Sequence, residues 1–341
     1  MSEVETQIAV IGAGPVGLFS VFQCGMLGMS CHVVDALDHL GGQCAALYPE
    51  KPIYDIPGLP QATGSDLVAR LTEQAAPFQP VYHLGQQVSE LTPTDDGGWR
   101  LATSDGTLIR ARAVIVAAGV GAFAPKRPPL PGIEQFETRP EGHGVHYAVR
   151  DREAYRGRRV VIAGGGDSAV DWATDLAGFA AAVYLVHRRD AFRAQPASLK
   201  RLRALAHAGT VEMVVPAQLR GVEGDGGDLA AVLVGEADAE RRIEADALLA
   251  FYGLAQSLGP IAEWGLELER NRVAVDPTTA ETSLPGVYAV GDIAHYPHKL
   301  KLILTGFSEA TFAAHAAYAR VFPGQALHFE YSTTKGLPGG A

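Results

Sequence analysis

What most constrains this chain is a repeat. Gln7–Gly12 (QIAVIG) is an apolar run that stops at a glycine. Gly12-Ala-Gly14-Pro-Val-Gly17 follows, then a helical stretch, Leu18–Met26, and a second apolar run, Cys31–Val34, ending in Asp35. Strand, glycine-rich turn, helix, strand and acid thus come in the order that binds a dinucleotide. The first glycine makes the tight turn, and the second lets a pyrophosphate approach backbone N–H groups at the helix N-terminus. The third lets helix and strand pack closely, and the acid accepts from a ribose hydroxyl.

The layout recurs 152 positions on. Arg159–Ile162 leads into Gly164-Gly-Gly166-Asp167-Ser168-Ala169, a helical stretch, Val170–Leu176, and a strand, Ala182–Val186. Gly12 and Asp35 are 23 positions apart, and 23 positions beyond Gly164 stands His187, followed by Arg188 and Arg189. A guanidinium fork matches a phosphate dianion that an acid would repel, so the second copy selects NADPH over NADH, with Arg193 as a third cation. The alternative is that these arginines form a solvated basic face.

Two further strands end in small residues: Val114–Gly119, and the 282–292 stretch that closes on Gly291-Asp292. Turn-rich segments at Ala124–Gly132 and Asp276–Gly286 mark crossings between domains. The expected architecture is α/β, two Rossmann-like dinucleotide-binding domains with the second, NADPH domain inserted into the first, which the resemblance given below implies is the FAD domain. Its boundaries are 1–123, 124–281 and 282–341. Asp95–Gly98 and the neighbouring runs Trp99–Ala102 and Leu108–Ala111 read as a β-hairpin in the first domain.

Composition removes several classes. At about 150 residues per domain, 341 residues give two domains. A net charge of −10 argues against bulk attraction to nucleic acid or an anionic membrane. No apolar run approaches the roughly 18 residues a membrane span needs. The acidic start has no basic, apolar leader, so a reducing cytoplasm is expected. Cys24, Cys31 and Cys44 form no CxxC, which removes zinc-ribbon, iron–sulfur and dithiol chemistry. Cys44 reads as a small buried residue. His295 and His298, with Lys299 and Lys301, lack a third ligand at a suitable spacing, so no metal is expected.

Gly12–Gly17 with Asp35, Gly119, Gly164–Ala169, His187-Arg-Arg-Asp-Ala-Phe-Arg193 and Gly291-Asp292 resemble the two-dinucleotide-domain flavoprotein disulfide reductases, and the 187–193 stretch is similar to thioredoxin reductase. Those enzymes carry a redox CxxC shortly before the second glycine motif. Gly144–Asp151 here has no cysteine, and thiol exchange needs a thiolate and a resolving partner. Gly41-Gly-Gln43-Cys-Ala-Ala-Leu-Tyr48 through Gly58 more closely resembles the thioredoxin-reductase-like ferredoxin/flavodoxin–NADP⁺ reductases, which are homodimers with FAD.

That resemblance implies FAD contacts at Asp35, Gln43, Tyr48, Val88, Phe123, Asp292 and Thr333, with the flavin between Tyr48 and the tail residue Tyr331. It implies electron transfer between NADPH and a one-electron carrier, ferredoxin or flavodoxin, with no side chain acting as acid, base or nucleophile. Such acceptors are usually acidic, and 188–203 holds six Lys/Arg against one acid, Asp190. The alternatives are a reductase of a small disulfide or quinone, and a flavin redox sensor without turnover.

Overall fold

The structure, a computed structural model, describes residues 3–236, 239–328, 333 and 336–337, leaving out the side chains of residues 123, 124, 254 and 256. Two compact units divide the chain: Met1–Phe123 with Gln256–Ala341, and Ala124–Ala255. The second crossing therefore lies at 255/256, upstream of the expected 281/282. Leu258, Ile261, Trp264 and Leu266 are buried with Leu101, Ile109 and Val114 in the first unit's core, so the chain has rejoined that unit before the 276–286 turns.

The first unit is built on a seven-stranded sheet. Its parallel part runs Val81–Leu84, Cys31–Asp35, Glu3–Ile11 and Leu108–Val116, and Val287–Ala289 pairs with the second half of Leu108–Val116. The first half of that long strand takes the antiparallel Trp99–Thr103, which pairs in turn with Val88–Pro93. The expected pairing of Trp99–Ala102 with Leu108–Ala111 is present, and Asp95–Gly98 connects Pro93 to Trp99.

Central parallel strands have both faces covered, which is why they read as unbroken apolar runs. Side chains alternate between faces. Ile8, Val10, Ala113 and Ile115 pack towards Val21 of the Pro15–Met26 helix and Ala313, Ala314 and Ala317 of the Ile303–Val321 helix. Ala9, Ile11, Val114 and Val116 face the opposite core, with Leu101, Trp264 and Leu266.

The second unit has a five-stranded parallel sheet in the order Gly144–His146, Ala247–Ala250, Arg159–Ala163, Ala182–Val186, Glu212–Val214. Three antiparallel strands, Gln218–Asp225, Asp228–Glu236 and Ala239–Glu244, form its second sheet. The Asp167–Leu176 helix buries Val170, Ala173 and Leu176 against Val160, Ile162 and Leu185. At the start of the central strand, Arg159 donates to both carboxylate oxygens of Asp246, just before the neighbouring strand, a pairing that holds the aspartate below its usual pKa.

Candidate functional site

In the first unit, strand Glu3–Ile11 ends at the glycine turn. Gly12 has φ +109°, and a Cβ there would lie 2.4 Å from the Ala117 carbonyl oxygen. A Cβ on Gly17 would lie 1.9 Å from the Gly12 carbonyl oxygen, so both positions are closed to side chains by packing. Gly14 differs: its nearest neighbour would be the Gly42 Cα at 3.9 Å. This glycine keeps its surroundings open for a ligand. It also caps the Pro15–Met26 helix, whose first residue, a proline, has no N–H to leave unpaired. Val16 and Gly17 have N–H groups without intrahelical acceptors, an anion-binding arrangement.

The turn borders a cavity of about 410 Å³, within the range of cofactor pockets. Gly12, Gly14, Asp35, Gln43, Tyr48 and Asp292 line it, as does Val88, which starts its strand at the sheet's edge. Asp35 does more than the sequence disclosed. One of its oxygens accepts from the Ala13 N–H at 2.6 Å and the other from the Leu37 N–H at 2.8 Å, so it holds the glycine turn in shape. Burial raises its pKa and the two backbone donors oppose that rise. A carboxylate oxygen has a second lone pair, which leaves both free to accept from hydroxyls.

The short Gly42–Leu47 helix carries Gln43 and ends at Tyr48. The Cys44 thiol donates to the Tyr48 hydroxyl at 3.6 Å, and burial raises the pKa of both groups. Tyr48 is thus a neutral aromatic surface, and Cys44 is a buried thiol with an occupied proton. The Asp292 charge acts on both, so these three residues share one region of the cavity. Lys301, which in sequence stands out only beside His295 and His298, also lines the wall. Its pKa is lowered by desolvation and by the nearby Arg272. Thr333 is exposed and does not line the cavity. The Phe123 side chain and Tyr331 lie outside the described residues.

The second unit repeats the logic. A Cβ on Gly164 would meet the Phe251 carbonyl oxygen at 2.7 Å, and one on Gly165 would meet the His187 ring at 2.3 Å. Gly166, like Gly14, is open, with nothing nearer than the Arg193 carbonyl oxygen at 4.0 Å, and it caps the Asp167–Leu176 helix. The chain after the arginines folds back onto this turn. Arg193 donates its N–H to the Gly165 carbonyl at 2.7 Å, and Gln195 donates its N–H to the Asp167 carboxylate at 2.9 Å. Arg193 is thereby placed beside the glycines, a contact that residue spacing could not reveal.

Ser168, Arg188, Arg189 and Arg193 are exposed, and none of the three arginines has an ion pair among the described residues. His187 packs against Phe192, ring centroids 5.0 Å apart, and desolvation, then the charges of Arg188 and Arg189, lower its pKa. It is a neutral wall of the turn at pH 7. All three cysteines are free, buried and in the first unit, so the second unit offers no thiol.

Comparison with known proteins agrees with this geometry. The family model described as pyridine nucleotide-disulphide oxidoreductase matches residues 6–317. A ferredoxin--NADP reductase of Paramagnetospirillum magneticum is 60% identical over 341 residues, 100% of both chains. That of Rhodospirillum rubrum is 56% identical over 340 residues, covering 98% of this chain and 97% of the relative. Among solved structures, the T. acidophilum thioredoxin reductase is similar, with TM-score 0.77, 22% identity and coverage of 92% and 98% of the two chains. The Lactococcus lactis thioredoxin reductase gives 0.76 at 23% identity, covering 93% and 99%. At these identities the solved structures speak for the fold, and the curated relatives for the family. The chain belongs to the pyridine nucleotide-disulphide oxidoreductases, and among them to the ferredoxin--NADP reductases.

Proposed function

We propose that the residues of this chain divide the work of a ferredoxin–NADP⁺ reductase between two nucleotide sites. The first unit's cavity holds FAD. Its fit rests on three features: the open Gly14 at a helix N-terminus, the Asp35 oxygens with spare lone pairs, and a neutral aromatic surface at Tyr48. Val16 and Gly17 N–H groups take the diphosphate, and Asp35 takes ribose hydroxyls. Gln43 and Asp292 meet the flavin half, with Val88 against an apolar part. For Phe123 and Tyr331, which lie outside the described side chains, an FAD contact rests on the resemblance alone, and Thr333, exposed and off the cavity wall, is left without one. When bound, FAD takes two electrons together from a nicotinamide and passes them on singly.

In the second unit, the open Gly166 and the N-terminus of the Asp167–Leu176 helix, with Ser168, receive the NADPH diphosphate. Arg188 and Arg189 hold the 2′-phosphate, and Arg193, anchored through its own backbone, adds charge. No side chain is assigned a proton-transfer role, because hydride and electron transfer depend on alignment.

The observation that carries this reading is the pair of glycine turns with opposite partners, Asp35 in one and exposed arginines in the other. The carrier is ferredoxin, with flavodoxin as a second one-electron partner, docking on the basic 188–203 stretch. We also propose a homodimer, since Leu300, Leu304 and Phe312 leave apolar surface exposed that a second copy would cover. A cytoplasmic location is supported by three free cysteines, and no helix among the described residues is long and apolar enough to cross a membrane.

The test is NADPH-dependent reduction of cytochrome c with and without added ferredoxin. Rapid reduction only with ferredoxin is expected. Fast quinone turnover with no ferredoxin effect would overturn the carrier assignment, and a reducible flavin without turnover would make the chain a sensor.

A further inference from the structure

Among the described residues, Glu309 is the one fully buried carboxylate, 3% exposed. It sits on the Ile303–Val321 helix and is fully engaged. One oxygen accepts from the Gly291 N–H at 2.7 Å. The other accepts from the Tyr296 hydroxyl at 2.7 Å and forms an ion pair with Lys299, whose side chain is 2% exposed. Burying such a pair is a poor source of stability, since desolvating two charges offsets most of their attraction and apolar residues often serve as well. Its placement suggests another role.

The Gly291–Ile293 turn carries Asp292 into the cavity wall. The helix reaches that turn through glycine on glycine: a Cβ on Gly306 would lie 3.2 Å from the Gly291 Cα and 2.4 Å from the Val16 side chain. This approach is close but carries no directional contact, because neither residue has a side chain to set the turn's rotation. A hydrogen bond is directional. Glu309 lies three residues beyond Gly306, on the same helix face, and supplies one to the backbone next to Asp292.

We propose that Glu309, its charge balanced by Lys299, is a positioning residue for FAD. Its carboxylate orients the Gly291–Asp292 turn towards the cofactor, and the hydrogen-bond acceptor, rather than the charge, is what matters. This inference rests on the assignment of FAD to the cavity.

Two double variants of the full chain separate acceptor from charge. K299M/E309Q and K299M/E309L both remove the ion pair without leaving a lone buried charge, but only glutamine can still accept from the Gly291 N–H. FAD dissociation constants and the visible spectrum of the bound flavin are measured, with circular dichroism as the fold control. The glutamine variant should bind FAD within about threefold of the parent, and the leucine variant at least about tenfold more weakly, with an altered spectrum. Equal affinity in the two variants overturns the proposal. Should the leucine variant not fold, E309D keeps the charge and draws the acceptor back by one methylene; unaltered FAD affinity there overturns it equally. Gly14→Val distinguishes the two levels. If it loses FAD while K299M/E309L keeps parental affinity, Glu309 has no positioning role. If it keeps a full complement of FAD, the cavity assignment fails and this inference falls with it.

Discussion

Replacing both Arg188 and Arg189 with alanine tests the cofactor preference most directly. Both side chains are exposed and neither has an ion pair among the described residues, so the fold should survive the change. A hydrogen bond to a charged group contributes about 1.5–3 kcal/mol. At an exposed position salt and water weaken it, so the lower end applies. At about 1.36 kcal/mol per factor of ten, each arginine is then worth roughly a tenfold change in KM for NADPH. The two share one phosphate, so their effects do not simply add, and the pair gives between roughly tenfold and roughly a hundredfold. NADH lacks the 2′-phosphate and should change by less than about threefold. The assay is steady-state reduction of a small one-electron acceptor, which avoids any effect of the same arginines on ferredoxin docking. Raising ionic strength should erode the parent's preference for NADPH and leave the double variant's KM nearly constant. Equal rises in KM for NADPH and NADH would refute the reasoning, because a lost phosphate contact cannot affect a cofactor without that phosphate.

Gly14→Val should leave circular dichroism unchanged, since φ is −71° and a Cβ there meets only the Gly42 Cα at 3.9 Å, yet the purified protein should be depleted of FAD; a full complement of FAD would contradict the open-glycine argument. Leu101→Ala empties a fully buried position in the first core and should cost about 2–5 kcal/mol, read from denaturant unfolding. His32 Nδ1 and His83 Nε2 lie 3.0 Å apart and burial lowers the pKa of both, so the folded state resists their protonation. Below the unfolded pKa of about 6.5 the unfolded chain binds protons that the folded one refuses, and stability should fall as pH drops from 7 to 5. His83→Gln should flatten that slope, and an unchanged slope would place the titration elsewhere.

Much was legible locally. The turns at Gly12–Gly17 and Gly164–Ala169 are contiguous in sequence, and glycines, flanking strands and helix starts obey short-range sterics. The exchange of Asp35 for His187-Arg188-Arg189 follows from registering one copy on the other. The absence of CxxC needs no coordinates at all.

What the tertiary structure decided joins residues far apart in the chain. Asp35 clasping the Ala13 N–H, Arg193 returning to Gly165, and Glu309 reaching Gly291 are each set by packing that no spacing encodes. Sequence puts the return crossing at 281/282 and the structure at 255/256 for a related reason. The turn-rich 276–286 stretch is a strong local signal, whereas Leu258, Ile261 and Trp264 rejoin the first core through contacts with strands well over a hundred residues earlier. Local chemistry determined which nucleotides this chain can recognise, and long-range burial decided which residues hold the binding surfaces in shape.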